Sequence, residues 1–251
     1  MISKMRACLL VGGVALTTCA QAALHDRGGG LIYDDVLDVT WLQDANYSKT
    51  SGYDADGKMT WVQAQAWADA LTFFDAVRGV SYSDWRLPFV IDTGSPGCNH
   101  SQGGATDCGF NVQTVSGSNV FSELGYMYYV NLGLTGTFGT DALPRGDFGI
   151  FGNGTLNGTD ATSAGQNDIG LFSNIQASTY WSGTEYAPLA NDAWYFQFGT
   201  GEQNRNTKEH LAFAWAVRAG DVSAVPEPET SVMLLAGLGF IASAVRRKKR
   251  G

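Results

Sequence analysis

The sequence predicts a single domain of mixed helix and strand, set between two apolar terminal segments. Three observations carry this. Short runs with strand character stand near both ends of the body. Two stretches with helical spacing lie between them. Each terminus pairs an uncharged apolar run with basic residues. About 200 residues separate the terminal segments, enough for one sizeable core.

Residues 1–22 read as a signal peptide. Lys4 and Arg6 form a short basic region, and Ala7 to Leu16 is apolar and uncharged. Ala20-Gln21-Ala22 then offers a small-residue cleavage site, which puts the mature start at Ala23. This implies the Sec machinery and signal peptidase as partners. A lipoprotein reading ranks second, because Leu16-Thr17-Thr18-Cys19 has Thr18 where a lipobox takes Gly, Ala or Ser.

Within the body, Leu31 to Tyr33 reads as a strand, Asp34 and Asp35 as a turn, and Val39-Thr40-Trp41-Leu42 as the return strand. Tyr53 to Gly57 is a polar turn. Thr60 and Gln63 have capping-box spacing, so a helix starts there. Trp61, Ala64, Ala68 and Leu71 share its apolar face, Trp67 and Phe74 flank it, and its end is expected before Gly79. A second helix is expected from Val120 to Leu132, with Phe121, Leu124 and Tyr128 on one face. Gly133 to Gly170 is rich in Gly, Asn, Thr and Asp. It is too long for a simple connection and reads as a surface excursion or binding loop. Three aromatic strands close the body: Thr179 to Gly183, Ala193 to Phe198 and Leu211 to Arg218.

Residues 222–229 form a linker, 230–245 an uncharged apolar segment and 246–251 a basic tail. Sixteen helical residues reach about 24 Å, against a hydrocarbon core of about 30 Å. Snorkelling arginines and local thinning close the gap, so 230–245 is expected to be a transmembrane helix. Arg246, Arg247, Lys248, Lys249 and Arg250 then stay cytoplasmic, and both ends place residues 23–225 outside. Val225-Pro226-Glu227-Pro228, followed by the apolar segment and the basic cluster, resembles the PEP-CTERM sorting signal. The resemblance covers residues 225–251. It implies processing by an exosortase, an integral-membrane cysteine protease of bacteria rich in exopolysaccharide. Pro226 and Pro228 fix φ and resist helix, which keeps the segment extended for a protease. The expected path is an inner-membrane anchored precursor, then the cell envelope or the exterior. The same tail type occurs on some proteins called ice-binding.

The exported body is acidic. Removing two basic residues of the signal and five of the tail leaves nine Lys and Arg. Removing Glu227 and Glu229 leaves twenty-two Asp and Glu, a net charge near −13. That disfavours nucleic acid and other polyanions as partners. Cys8 and Cys19 lie in the signal, which leaves Cys98 and Cys108. In an oxidising compartment these two are expected to form one local disulfide.

Several pieces of the body together resemble one family. They are Gly30-Leu31-Ile32-Tyr33, Trp41-Leu42, Trp61 with Ala64, Trp85-Arg86-Leu87-Pro88, Tyr180-Trp181-Ser182, Ala193-Trp194 and Ala216-Val217-Arg218. In this order they look like the Lcl C-terminal-type domain, over residues 28–221. The resemblance implies an α+β fold related to C-type lectins and formylglycine-generating enzymes. A small twisted antiparallel sheet, two helices and long loops are then expected within a domain at 23–221. Some relatives are adhesins that bind polysaccharides.

No catalytic motif stands out. His25, His100 and His210 are far apart, and no nucleophile elbow, HExxH or phosphate loop is present. Nothing after Cys108 is cysteine, which removes the cysteine pair of formylglycine-generating enzymes. Asp54-Ala55-Asp56-Gly57 begins like an EF-hand, but its Gly comes two positions early and no Glu closes the loop. No cofactor is expected, and calcium stays an open candidate there. Trp41, Trp61, Trp67, Trp85, Trp181, Trp194 and Trp215 suit core packing better than sugar stacking. Arg86 is expected to pair with a carboxylate or cap carbonyls. A binding surface is expected in the loops 92–107 and 133–170. The favoured function is a non-catalytic envelope or matrix protein, with exopolysaccharide as a candidate partner. A glycan-active enzyme is the alternative. Ice binding ranks third, because no regular Thr-x-Thr array is present.

Overall fold

The computed structural model describes residues 24–92, 100–105, 107–112, 120–150 and 169–222. Ala20, Ala22, Ala23, Cys98, Val225, Pro226, Glu227, Pro228 and the basic cluster Arg246 to Arg250 lie outside these residues. So does the expected transmembrane helix 230–245. Among the described residues no helix is long and apolar enough to cross a membrane.

Among the described residues the strands form two five-stranded sheets and a hairpin. The first sheet holds β1 (Leu24–Asp26), β2 (Leu31–Asp34) and β3 (Val39–Leu42). The second begins with β4 (Lys58–Met59). The hairpin is β5 (Phe73–Asp75) with β6 (Val80–Tyr82), and β7 (Trp85–Arg86) follows. After a helical stretch come β8 (Thr179–Glu185), β9 (Asp192–Gln197), β10 (Glu202–Thr207), β11 (Ala212–Phe213) and β12 (Val217–Ala219). The sheet orders are β1-β2-β3-β12-β7 and β10-β9-β8-β11-β4. All pairings between these strands are antiparallel except that of β8 with β11. This strand-rich arrangement with few helices is consistent with an α+β fold. It corrects the expectation of one small antiparallel sheet, because the last aromatic run splits. Leu211 to Arg218 is not one strand. β11 and β12 join different sheets, and fully buried Ala214, Trp215 and Ala216 cross between them.

The helices are short. α1 (Tyr47–Thr50) is a single turn. α2 (Trp61–Ala70) starts with the expected capping box, in which Thr60 accepts from Gln63 N and the Gln63 amide oxygen accepts from Thr60 N. It ends well before Gly79, because Leu71 leaves helical space at ψ 124°. Asp75 and Gly79 instead close the β5–β6 turn, with Asp75 Oδ1 accepting from Val77 N and Arg78 N. Phe74 therefore points outward at 61 % exposure and does not flank a helix. α3 (Glu123–Tyr126) begins later than Val120, since Ser122 caps it by accepting from Gly125 N. It runs on as a π-helical turn over Met127–Asn131.

Aromatic residues tie the layers together. All seven tryptophans are buried. Trp41 and Trp215 lie 4.9 Å apart, and Phe172 and Phe198 also pack on Trp215. Burying an indole strands its N–H unless a carbonyl meets it. Trp61 donates to Ser182 O, Trp181 to Met59 O, Trp215 to Leu42 O and Trp85 to Tyr82 O. These bonds join α2, both sheets and the hairpin.

Candidate functional site

The residues singled out by the sequence mostly hold the structure together. Trp85 and Arg86 form β7, which pairs with β12 so that Trp85 faces Arg218. Leu87 and Pro88 are buried, and Pro88 O accepts from Gly183 N. Tyr180, Trp181 and Ser182 are buried along β8. Trp194 donates to Asp92 Oδ2. Arg218 grips Asp84 at 2.8 and 2.9 Å and lies over the Tyr82 ring. Arg86 meets Glu123 and its neighbour's carbonyl, Leu87 O. These side chains are engaged with one another and with the backbone around them.

The acidic turn at Asp54 is occupied by backbone. Asp54 Oδ1 accepts from Asp56 N and Gly57 N, and Asp56 Oδ1 accepts from Lys58 N. Among the described residues no group of three His, Cys, Asp or Glu side chains gathers to hold a metal. Cys108 is buried and disulfide-bonded, and its partner lies outside the described residues. The core phenols offer no chemistry near neutrality. Burial pushes Tyr128, Tyr129 and Tyr180 up, and Tyr195 up to about 12.

One cleft has the ingredients of a binding site. It measures about 220 Å³ and is lined by Gly30, Leu42, Gln43, Asp44, Tyr47, Phe73 and Ser173. Three segments form its frame. Gln43 N donates to Gly30 O, Ser173 N to Gln43 O, and Ala45 N to Ser173 O. Tyr47 on α1 and Phe73 on β5 meet edge to face at 5.3 Å, and both are half-buried. Gly30, at φ +84°, brings its backbone close to Phe73; a Cβ there would lie 3.2 Å from the ring. Gln43 donates to Leu171 O and Asp44 Oδ1 accepts from Asn46 N. Gln43 Oε1 and Asp44 Oδ2 have no partner among the described residues. Two ring surfaces beside free acceptors can stack on and orient a polar cyclic ligand. A second hollow, of about 300 Å³, is lined by Leu189, Ala190, Asn191, Asp192 and Thr207. Its carboxylate is already paired, with Arg205 2.7 Å from Asp192.

Sequence reasoning placed binding in the loops 92–107 and 133–170, of which 93–99, 106 and 151–168 lie outside the described residues, and did not single out this cleft. Its only local signal is Gln43-Asp44, a polar step straight after the apolar strand end Trp41-Leu42.

Residues 224–250 match the PEP-CTERM protein-sorting motif. The motif implies exosortase as processing partner, with export and sorting to the cell surface. No curated protein and no solved structure matches the chain. The likeness of residues 28–221 to the Lcl C-terminal-type domain has no support from these comparisons. The PEP-CTERM motif begins two residues beyond Val222, which is 3 % exposed and belongs to the core.

Proposed function

We propose that this protein is an exosortase-sorted component of the cell envelope or extracellular matrix, and that its domain binds polysaccharide without chemistry. The observation that supports it is the cleft at Tyr47 and Phe73, where two half-exposed rings stand beside the uncommitted oxygens of Gln43 and Asp44. The resemblance to the Lcl C-terminal-type domain points the same way, since some of its relatives bind polysaccharides. A glycan-cleaving enzyme is the weaker reading. Glycoside hydrolysis ordinarily uses two carboxyl groups flanking the bond, and among the described residues Asp44 is the sole acidic side chain lining this cleft.

Two experiments test the two halves. Glycan arrays with and without calcium, paired with a turnover assay, test binding. Retention of a glycan without turnover supports the proposal, and cleavage of it establishes the enzyme reading instead. For sorting, a tail-tagged chain is compared with a variant carrying Pro226→Ala and Pro228→Ala, in hosts with and without exosortase. The variant is expected to be exported but to keep its tail, since alanines let helix extend across the motif. Equal processing in every host would make the tail an ordinary anchor.

A further inference from the structure

The domain holds its chain firmly as far as Val222, the last described residue. β12 is an inner strand, flanked by β3 and β7. Beyond it Gly220 N donates to Asp38 O, and Gly220 O accepts from Thr40 Oγ1. Arg27, in the turn between β1 and β2, takes Asp221 in a two-pronged grip at 2.9 and 2.6 Å. Arg27 is itself braced: its carbonyl accepts from Arg78 Nη2, and its guanidinium lies over the Tyr33 ring. Val222 then buries its side chain in the core. The turn after the first described strand is thus tied to the residue two places past the last one.

Three peptide steps separate Val222 from Val225. Fully extended, they span at most about 11 Å. A protease cleft must take the Val225-Pro226-Glu227-Pro228 segment as extended chain, with the folded domain on one side and the membrane on the other. The available reach on the domain side is therefore set by how far the fold holds the chain. Releasing Asp221 and Val222 would lengthen it, at the cost of one ion pair and one buried side chain.

We propose that the Arg27–Asp221 pair, together with the buried Val222 whose N–H donates to Asp221 Oδ1, fixes the distance between the folded domain and the sorting motif, so that joint release of these two residues limits the rate at which the sorting protease acts. This rests on the sorting reading above. Asp221 and Val222 can be released without unfolding a sheet, because β12 itself stays paired on both sides.

The test follows loss of a C-terminal tag from the full-length chain by pulse-chase, in a host with its exosortase. Asp221→Asn and Arg27→Gln are expected to speed tag loss about fivefold, the population change given by roughly 1 kcal/mol, the upper range for an exposed ion pair. Inserting Gly-Ser-Gly-Ser between Val222 and Ser223 should speed it at least as much, because it lengthens the reach directly. Asp221→Asn added to that insertion should bring no further gain. Limited proteolysis checks that each variant stays folded, and tag loss at the wild-type rate in a folded Asp221→Asn or Arg27→Gln variant overturns the proposal. Unchanged rates in the insertion variant overturn the proposal. Slower processing in Asp221→Asn or Arg27→Gln overturns it too and makes this edge a docking surface for the enzyme. A wild-type chain that keeps its tag removes the sorting reading itself, an outcome distinct from both.

Discussion

The guanidinium of Arg86 holds Glu123 through two hydrogen bonds, at 2.7 and 2.8 Å, and Glu123 is 1 % exposed. The same carboxylate accepts from Phe89 N at 2.8 Å. β7, the start of α3 and the chain after Pro88 are thus joined at one buried charge.

Removing Arg86 should therefore be costly. Arg86→Ala leaves the buried Glu123 carboxyl without its guanidinium partner. Such losses cost about 3–5 kcal/mol in full burial, and the partial exposure of the Arg86 side chain lowers the expected value to about 2–3 kcal/mol. Arg86→Lys should cost less, since it keeps the charge and loses only the fork. Urea midpoints of the purified exported protein measure both. A midpoint for Arg86→Ala equal to wild type would show that water reaches Glu123.

Asp34 predicts an unusual pH dependence. Burial raises its pKa above the ordinary 3.8, although Leu37 N, the Asn131 amide and Val36 N donate to it and oppose the shift. A raised carboxylate pKa means that the folded protein prefers the neutral acid. The stability this gives is full below the unfolded value and is lost as pH rises through the folded one. Asp34→Asn removes that titration, and a turn-over of the Asn131 amide, whose Nδ2 now donates to Asp34 Oδ2, lets the new Nδ2 donate to Asn131 Oδ1, a buried atom with no partner among the described residues. The variant should therefore gain on wild type as pH is raised from the acid range to neutrality. Asp84 runs the opposite way. Its hydrogen bond from Arg218 lowers its pKa, so its contribution is present above 3.8 and lost as pH falls. Denaturation midpoints taken across that range separate the two signs.

The cysteines give a covalent prediction. Cys108 packs with Val90, Tyr186 and Trp194 in a small cluster apart from the main core. Pairing with Cys98 closes a short loop and is expected to stabilise the protein by about 2–3 kcal/mol. Peptide mapping without reductant should recover the two cysteines in one linked species. Recovery of both as free thiols would remove the pairing. Cys98→Ala should loosen the loop and leave the two sheets intact, because this cluster lies outside the cluster that contains Trp41, Trp181 and Trp215.

Local signals in the sequence carried a good part of the fold. The Val39-Thr40-Trp41-Leu42 strand, the Thr60–Gln63 capping box and the strands starting near Thr179 and Ala193 are set by nearby residues, and the structure has them at those places. Errors arose where distant chain decides. The Phe73–Tyr82 hairpin has helix-compatible spacing, and only pairing across Asp75 and Gly79 makes it a hairpin. The split of Leu211 to Arg218 depends on Trp215 being claimed by both layers. β10 (Glu202–Thr207) is polar throughout and gave no apolar pattern to read. The cleft escaped for the same reason. Gly30, Asp44, Phe73 and Ser173 are scattered along the chain and meet only through tertiary contacts. Arg27 and Asp221 are likewise remote in sequence, and nothing local marks them as partners.

The cleft yields the last prediction. Every tryptophan is 8 % exposed or less, so none of the seven can offer a face to a sugar ring. If the domain binds polysaccharide through this site, stacking falls to Tyr47 and Phe73, with Gln43 and Asp44 orienting hydroxyl groups. Tyr47→Ala removes a half-exposed ring at the end of a one-turn helix, so it should cost little stability and most of the binding. Loss of a stacked ring is worth about 1–3 kcal/mol, a five- to hundredfold weaker complex. Asp44→Asn keeps the turn acceptor for Asn46 N and removes the charge, which separates charge from shape. Tyr53→Ala is the control, since Tyr53 is 55 % exposed and does not line the cleft. Affinity electrophoresis in gels cast with the polysaccharide retained on the array reads all three. Loss of retardation in Tyr47→Ala with none in Tyr53→Ala supports the cleft. Equal retardation in wild type, Tyr47→Ala and Asp44→Asn would move the binding surface elsewhere on the domain.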